Sequence, residues 1–177
     1  MKSTKAASRY AKALLELAVE NGKLDMVADN MRYLAKVSSE NHDFRLLLNS
    51  PIVKADKKVA IFNDLFSDFD KVTTLFIGLI TKNRREYMLN DIAQAFENQV
   101  KAYKGIVPVT LVSAVPLNAA TRENIMKKIK SSVKGELEVN EIIDKSLIGG
   151  FIVRMDDKQI DASVLSQFNK LKQRLTK

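Results

Sequence analysis

From Thr4 to about Lys104 the apolar residues recur at steps of three and four, the period of helices with one covered face. A first helix, capped by Ser3 or Thr4, is predicted to about Glu20, where Asn21-Gly22 stops it. Its stripe is Ala7, Tyr10 or Ala11, Leu14, and Leu17 or Ala18, and Ala6, Ala13 and Leu15 add apolar surface beside it. A helix this rich in alanine allows close approach on more than one side. A second helix, 23–38, puts Leu24, Val27 or Ala28, Met31, Leu34 and Ala35 on one face, and a short third, 42–48, ends at Asn49-Ser50-Pro51. A fourth, 54–66, carries Val59, Phe62, Leu65 and Phe66 at helical spacing. The fifth, 70–82, is apolar nearly all round from Val72 to Ile80, which predicts a place in the middle of its domain. A long sixth follows Asn83-Arg84-Arg85 and reaches Tyr103 or Lys104. Six helices with short connections predict an antiparallel bundle.

At Gly105 the period changes. Ile106 to Val115 is β-branched and poor in helix formers, 118–133 returns to a helix with Ile125, Ile129 and Val133 inside, and 137–143 is a second strand. The fold class expected is mainly α: a six-helix antiparallel bundle over residues 1–104, then a small α+β domain over 105–177.

The most informative stretch runs from Asp144 to Val164. Gly149-Gly150 interrupts a strongly apolar run, so the backbone there bends or lies against a segment that leaves no room for a Cβ. Phe151 to Met155 reads as a strand bearing Arg154, Asp156-Asp157-Lys158 as a turn, Gln159-Ile160 as the returning strand, and Asp161 or Ser163 as the cap of a last helix. Val164, Phe168, Leu171 and Leu175 give that helix one apolar face, while Lys170, Lys172, Arg174 and Lys177 make its end positive and suit it to an acidic or amphipathic partner. The helix is expected to cover Ile160, Val164 and a face of the sheet.

Composition narrows the chemistry. The 46% apolar content of 177 residues suffices for real cores, no run approaches the roughly 20 apolar residues of a membrane span, and the N-terminus reads as a patterned helix rather than a secretory signal. The absence of Cys removes disulfides, thiol catalysis and thiolate metal sites. The single His42 has no patterned partner, and surface placement is the better reading. Gly149-Gly150 lacks the framework of a phosphate loop and precedes a strand rather than opening a helix. Asp144, Asp156, Asp157 and Asp161 fall around turns without the spacing of a calcium loop. No catalytic residue, metal or cofactor is therefore expected. The net charge of +8 raises nucleic-acid binding as an alternative, a basic helical binder. The signs are interspersed, with 17 Lys and Arg against 13 Asp and Glu up to Gly105 and 12 against 8 beyond, and this favours a solvated mixed surface.

Order and spacing through Leu137, Val139, Ile143, Asp144, Leu147, Gly149-Gly150, Val153-Arg154, Ile160-Asp161-x-Ser163-Val164 and the Leu171-to-Leu175 helix resemble the C-terminal signature of the delta subunits of F-type ATP synthases, the oligomycin-sensitivity-conferring protein family. Ser8-Arg-Tyr-Ala-Lys-Ala-Leu-Leu-x-Leu-Ala18 resembles that family's N-terminal motif. Two positions depart from the pattern, Asp156 and Ala162, where the family usually has glycine. The resemblance implies a non-catalytic stator subunit at the cytoplasmic face of a bacterial plasma membrane, tying alpha subunits of the catalytic head to the b-subunit peripheral stalk. It implies that Tyr10, Ala11 and Leu14, with Leu75, Phe76 and Leu79, line a groove for an alpha-subunit helix. Phe168, Leu171, Lys172 and Leu175 are the positions it implies for the b subunit, and Asp144, Gly149, Gly150, Arg154, Asp161 and Ser163 form the structural signature.

Overall fold

The computed structural model describes residues 4–132, 135–155 and 158–175, and within them the chain is mostly helical with one small sheet. Two compact units divide it, Met1–Val100 and Lys101–Lys177. The division falls in the last turn of a helix, and within the second unit the Lys101 ammonium lies 2.8 Å from the Glu138 carboxylate.

The first unit contains α1 (Lys5–Glu20), α2 (Leu24–Glu40), α3 (His42–Asn49), α4 (Ala55–Leu65), α5 (Lys71–Lys82), a 3-10 turn at Glu86–Met88, and α6 (Leu89–Tyr103), whose last residues pass into the second unit. The starts are capped where the sequence offers an acceptor: Thr4 Oγ1 accepts from the Ala7 amide, Asn41 Oδ1 from Phe44, and Asp70 Oδ1 from Val72. Ala7, Ala11, Leu14 and Ala18 of α1 are fully buried, so the alanines let α1 sit close to its neighbours. The core continues through Val27, Met31 and Leu34 of α2, Ile77 and Ile80 of α5, and Leu89, Ile92 and Phe96 of α6. A ring cluster closes one side, with Phe66 stacked on Phe69 at 4.6 Å and edge-on to Phe44. One expectation is corrected here. Helix α5 does not lie in the middle of its domain, because Leu75 and Leu79 are 65% and 55% exposed. The neighbouring helices cover only part of its apolar circumference.

The second unit is built on β1 (Ile106–Ser113), α7 (Ala119–Ser132), β2 (Glu136–Ile143), a 3-10 turn at Lys145–Leu147, β3 (Phe151–Met155), β4 (Lys158–Asp161) and α8 (Val164–Leu175). The sheet order is β2-β1-β3-β4, with β1 parallel to β2 and the other pairs antiparallel. A parallel pair needs a crossover, and α7 supplies it. Ile125 and Ile129 of α7 pack on Val109, Leu111, Val153 and Met155, which alternate on one face of the sheet, while Val112 and Ile152 point to the other face with Leu147. Val133, Asp156 and Asp157 lie outside the described residues. Helix α8 does not cover what the sequence suggested, since Ile160 is 52% and Val164 49% exposed with the helix in place. Ser163 is its cap, accepting from the Ser166 amide at 3.2 Å, and Asp161 Oδ1 accepts from the Ser163 amide at 2.9 Å.

Candidate functional site: two uncovered apolar surfaces

The open face of α5 forms one wall of a groove of about 410 Å³ whose other wall is α1. Leu75, Leu79 and Val72 line it from α5 and Leu17 and Asn21 from α1, over a floor made by Phe76. Helix α1 runs against α5 in the opposite sense. Lys23 donates to Asp70 at 2.7 Å where α1 ends and α5 begins, and Arg85, just past α5, donates to the Tyr10 hydroxyl at 2.9 Å near the start of α1. The Arg85 guanidinium also lies 5.6 Å from the centre of the Tyr10 ring. These two polar contacts pin both ends of the groove and leave the apolar walls between them open. The Lys23 ammonium, followed by the Val72 amide, holds the Asp70 carboxyl below the usual carboxylate range.

The six positions implied for the head therefore separate into two sets. Leu75 and Leu79 are exposed on the groove, Phe76 lies at its floor, and Tyr10 is half-buried beyond it, held by Arg85. Ala11 and Leu14 are completely buried, part of the core of the first unit. Leu17, 45% exposed, takes their place on the wall. The sequence carried the signal for Leu17, one of two candidates for the end of the α1 stripe. Choosing between Leu17 and Ala18 requires knowing which neighbour covers α1.

The second surface belongs to the other unit. Val164, Leu165 and Phe168 stand on α8 with 49%, 38% and 63% of their surface exposed. Beside α7, an apolar trough of about 490 Å³ is lined by Ile125, Ile129, Phe151, Val153, Met155 and Ile160. Lys172 is exposed on α8, and the side chains of Leu171 and Leu175 lie outside the described residues.

The signature residues position this surface. A Cβ on Gly149 would press on Val164 Cγ2 at 3.1 Å, and one on Gly150, where φ is +79°, would run into the Ala162 carbonyl oxygen and lie 2.9 Å from Ser163 Cα. The Gly-Gly step is thus the seat on which the start of α8 rests, and the Val164 amide donates to the Gly149 carbonyl at 3.0 Å. Asp144 Oδ1 accepts from the hydroxyl and the amide of Ser146 at 2.7 and 2.9 Å. Those two bonds, hydroxyl first, and the Arg154 charge hold its carboxyl below the usual range against the opposing effect of burial. Arg154 is exposed on β3 opposite Gln159 and Thr110. Among the described residues no cluster of three His, Asp or Glu side chains is able to hold a metal, and no helix is long and apolar enough to cross a membrane.

The chain is thus a helical unit with an open apolar groove, followed by a small α+β unit whose last helix leaves Val164, Leu165 and Phe168 exposed, an architecture with no built catalytic or metal site among the described residues. The family model for the ATP synthase delta (OSCP) subunit matches residues 6–175, so the chain belongs to that family. It is 39% identical over 177 residues to the ATP synthase subunit delta of Cytophaga hutchinsonii, covering 99% of this chain and 97% of that one. With the ATP synthase subunit delta of Flavobacterium johnsoniae it shares 30% identity over 176 residues, 99% of each chain. The fold is similar to a chain of the Toxoplasma gondii mitochondrial ATP synthase hexamer, with a TM-score of 0.75 and 22% identity over 98% of this chain and 99% of that chain. The protein is accordingly a structural stator subunit linking the head of the synthase to its peripheral stalk, and not a catalytic one.

Proposed function

We propose that residues 1–104, as an antiparallel helical bundle, hold the catalytic head through an N-terminal helix of an alpha subunit laid in the α1/α5 groove. Residues 105–177 hold the C-terminal end of the b-subunit stalk, with α8 and the neighbouring trough as the contact. Rotation of the central shaft drags the head with it unless such a joint resists, so torque becomes nucleotide chemistry only while both contacts hold. The working place of the protein is then the cytoplasmic face of a bacterial plasma membrane, reached through the complex rather than through lipid.

The observation that supports this reading is that each unit leaves apolar side chains uncovered on a helix: Leu75 and Leu79 in the first, where the other face of α5 carries the buried Phe76, Ile77 and Ile80, and Val164 and Phe168 in the second. Amphipathic helices laid in such grooves are a recurring mode of recognition. A contact lasting through many turnovers needs nanomolar affinity, about 12 kcal/mol, and buried apolar anchors supply that better than rim charges.

The test is a co-sedimentation experiment with purified catalytic head and a soluble b-subunit fragment. A chain ending before Gln167 lacks most of α8. It is expected to sediment with the head and to lose the b fragment, whereas Leu75→Ser with Leu79→Ser is expected to lose the head and keep the fragment. The opposite pattern reverses the assignment of partners to units.

A further inference from the structure

Leu75 and Leu79, the two most exposed apolar residues of the groove, are bracketed by cations. Lys71, Leu75, Leu79 and Lys82 follow one another at steps of four, four and three on α5, and all four are exposed, so they form a single stripe along one face. Neither Lys71 nor Lys82 has an ion pair or side-chain hydrogen bond among the described residues. The acid nearest Lys71 in sequence is already engaged, since Asp70 takes Lys23 on one oxygen and the Val72 amide on the other. At the far end Arg85 is joined to Tyr10. Lys23 and Lys71 line one end of the groove, Lys82 and Arg85 follow in the chain just beyond Leu79 at the other, and Val72, Leu75, Phe76 and Leu79 between them are apolar.

We infer that the groove selects an amphipathic helix whose apolar stripe is bracketed at both ends by Asp or Glu. The inference rests on the groove being the head-binding surface and adds which helices it accepts. Apolar contact is not directional, so the leucines alone bind any amphipathic helix of suitable size and fix no register along the groove. Charges bracketing the stripe do both, because a misplaced or cationic helix leaves lysines facing solvent-poor surface or like charge. The stripe from Lys71 to Lys82 spans roughly 16 Å of helix axis, so the matching carboxylates stand about three turns apart on the occupant. The two free lysines are the specificity-determining residues, and the leucines are the anchor.

The test uses the full chain and two synthetic helical peptides of about 20 residues with the same leucine stripe, one bracketed by Glu and the other by Lys, titrated by fluorescence anisotropy in roughly 50 mM and 300 mM salt. The Glu peptide is expected to bind at least about tenfold more tightly at low salt, with the margin shrinking at high salt. Lys71→Glu with Lys82→Glu is expected to invert the preference, and Lys71→Gln with Lys82→Gln to abolish it. Circular dichroism of each variant shows that the fold is kept. Equal affinity for the two peptides, or a preference unchanged in the double reversal, overturns the inference. If Leu75→Ser with Leu79→Ser loses the head but the peptides show no charge preference, head binding stands and charge selection fails. If that leucine variant keeps the head, both fail together.

Discussion

Lys58 is the largest fully buried side chain among the described residues, and its removal gives the most demanding test of how the first unit is held together. It lies on α4 with 1% of its side chain exposed, and its ammonium donates to Glu86 Oε1 at 2.5 Å, to the Ser50 carbonyl at 2.7 Å and to the Leu48 carbonyl at 3.2 Å. All three ammonium hydrogens are used. The contact clamps the end of α3 and the turn after it to the 3-10 turn that opens α6. Lys58→Met keeps the stem and removes the charge, stranding a Glu86 carboxylate that is 11% exposed and whose other oxygen, Oε2, accepts from no described protein group. Removing one partner of a buried pair costs about 3–5 kcal/mol, a fifth or more of a typical domain's stability of about 5–15 kcal/mol. Lys58→Met with Glu86→Leu removes both charges, leaves only two carbonyls to rehydrate at the edge of an open cleft, and is expected to cost about 1–2 kcal/mol. The assay is urea unfolding of the full chain followed by tyrosine fluorescence, which reports on the first unit because three of the four tyrosines, Tyr10, Tyr33 and Tyr87, belong to it. The single variant should lower the midpoint by roughly 2 M, and the double variant should recover most of that loss. A single-variant loss below about 1 kcal/mol would falsify the clamp, as would a double variant no better than the single.

Three further outcomes follow from backbone and charge. Helices α1 and α5 end alike, with amide bonds from Gly22 to Val19 and Lys23 to Ala18 in one and from Arg84 to Thr81 and Arg85 to Ile80 in the other, but the left-handed residue is Gly22 (φ +65°) in the first and Arg84 (φ +55°) in the second. Arg84→Gly should therefore raise stability by about 1 kcal/mol in urea unfolding, and a loss contradicts the assignment of strain there. Gly150→Ala puts a Cβ against the Ala162 carbonyl and Ser163 at a left-handed φ, and should cost about 3 kcal/mol. Hydrogen exchange is expected to show that cost in β3, β4 and α8 and not in the first unit. Asp70 has a folded carboxyl pKa below its unfolded value, so its contribution is present above the unfolded value and is lost as the pH falls through the folded one. Asp70→Asn should flatten the acid side of the first unit's stability profile below about pH 4. An unchanged acid limb shows that Lys23 does not hold the carboxylate in solution.

The period of the apolar residues determined which stretches are helix and which are strand, because that information is local: Thr4 and Ser163 cap where a cap was expected, and the crowding that excludes a Cβ at Gly150 was legible from a Gly-Gly step inside an apolar run. Periodicity also named apolar positions on the first, second, fourth and last helices. What covers such positions is a long-range matter, and there the reading was incomplete. The pattern of α5 marked it as buried all round, yet Leu75 and Leu79 are open; Ala11 and Leu14 read as groove lining, yet they are core; α8 was expected to cover Ile160, which stays exposed. Nothing in the sequence pattern singles out Lys58, and only the approach of Glu86 and the carbonyls of Leu48 and Ser50 makes its burial possible. The order of the sheet and the antiparallel setting of α1 against α5 likewise depend on contacts distant in sequence. Burial belongs to a side chain together with its neighbours in space, so the sequence determined which surfaces are apolar, and the tertiary structure decided which of them remained uncovered.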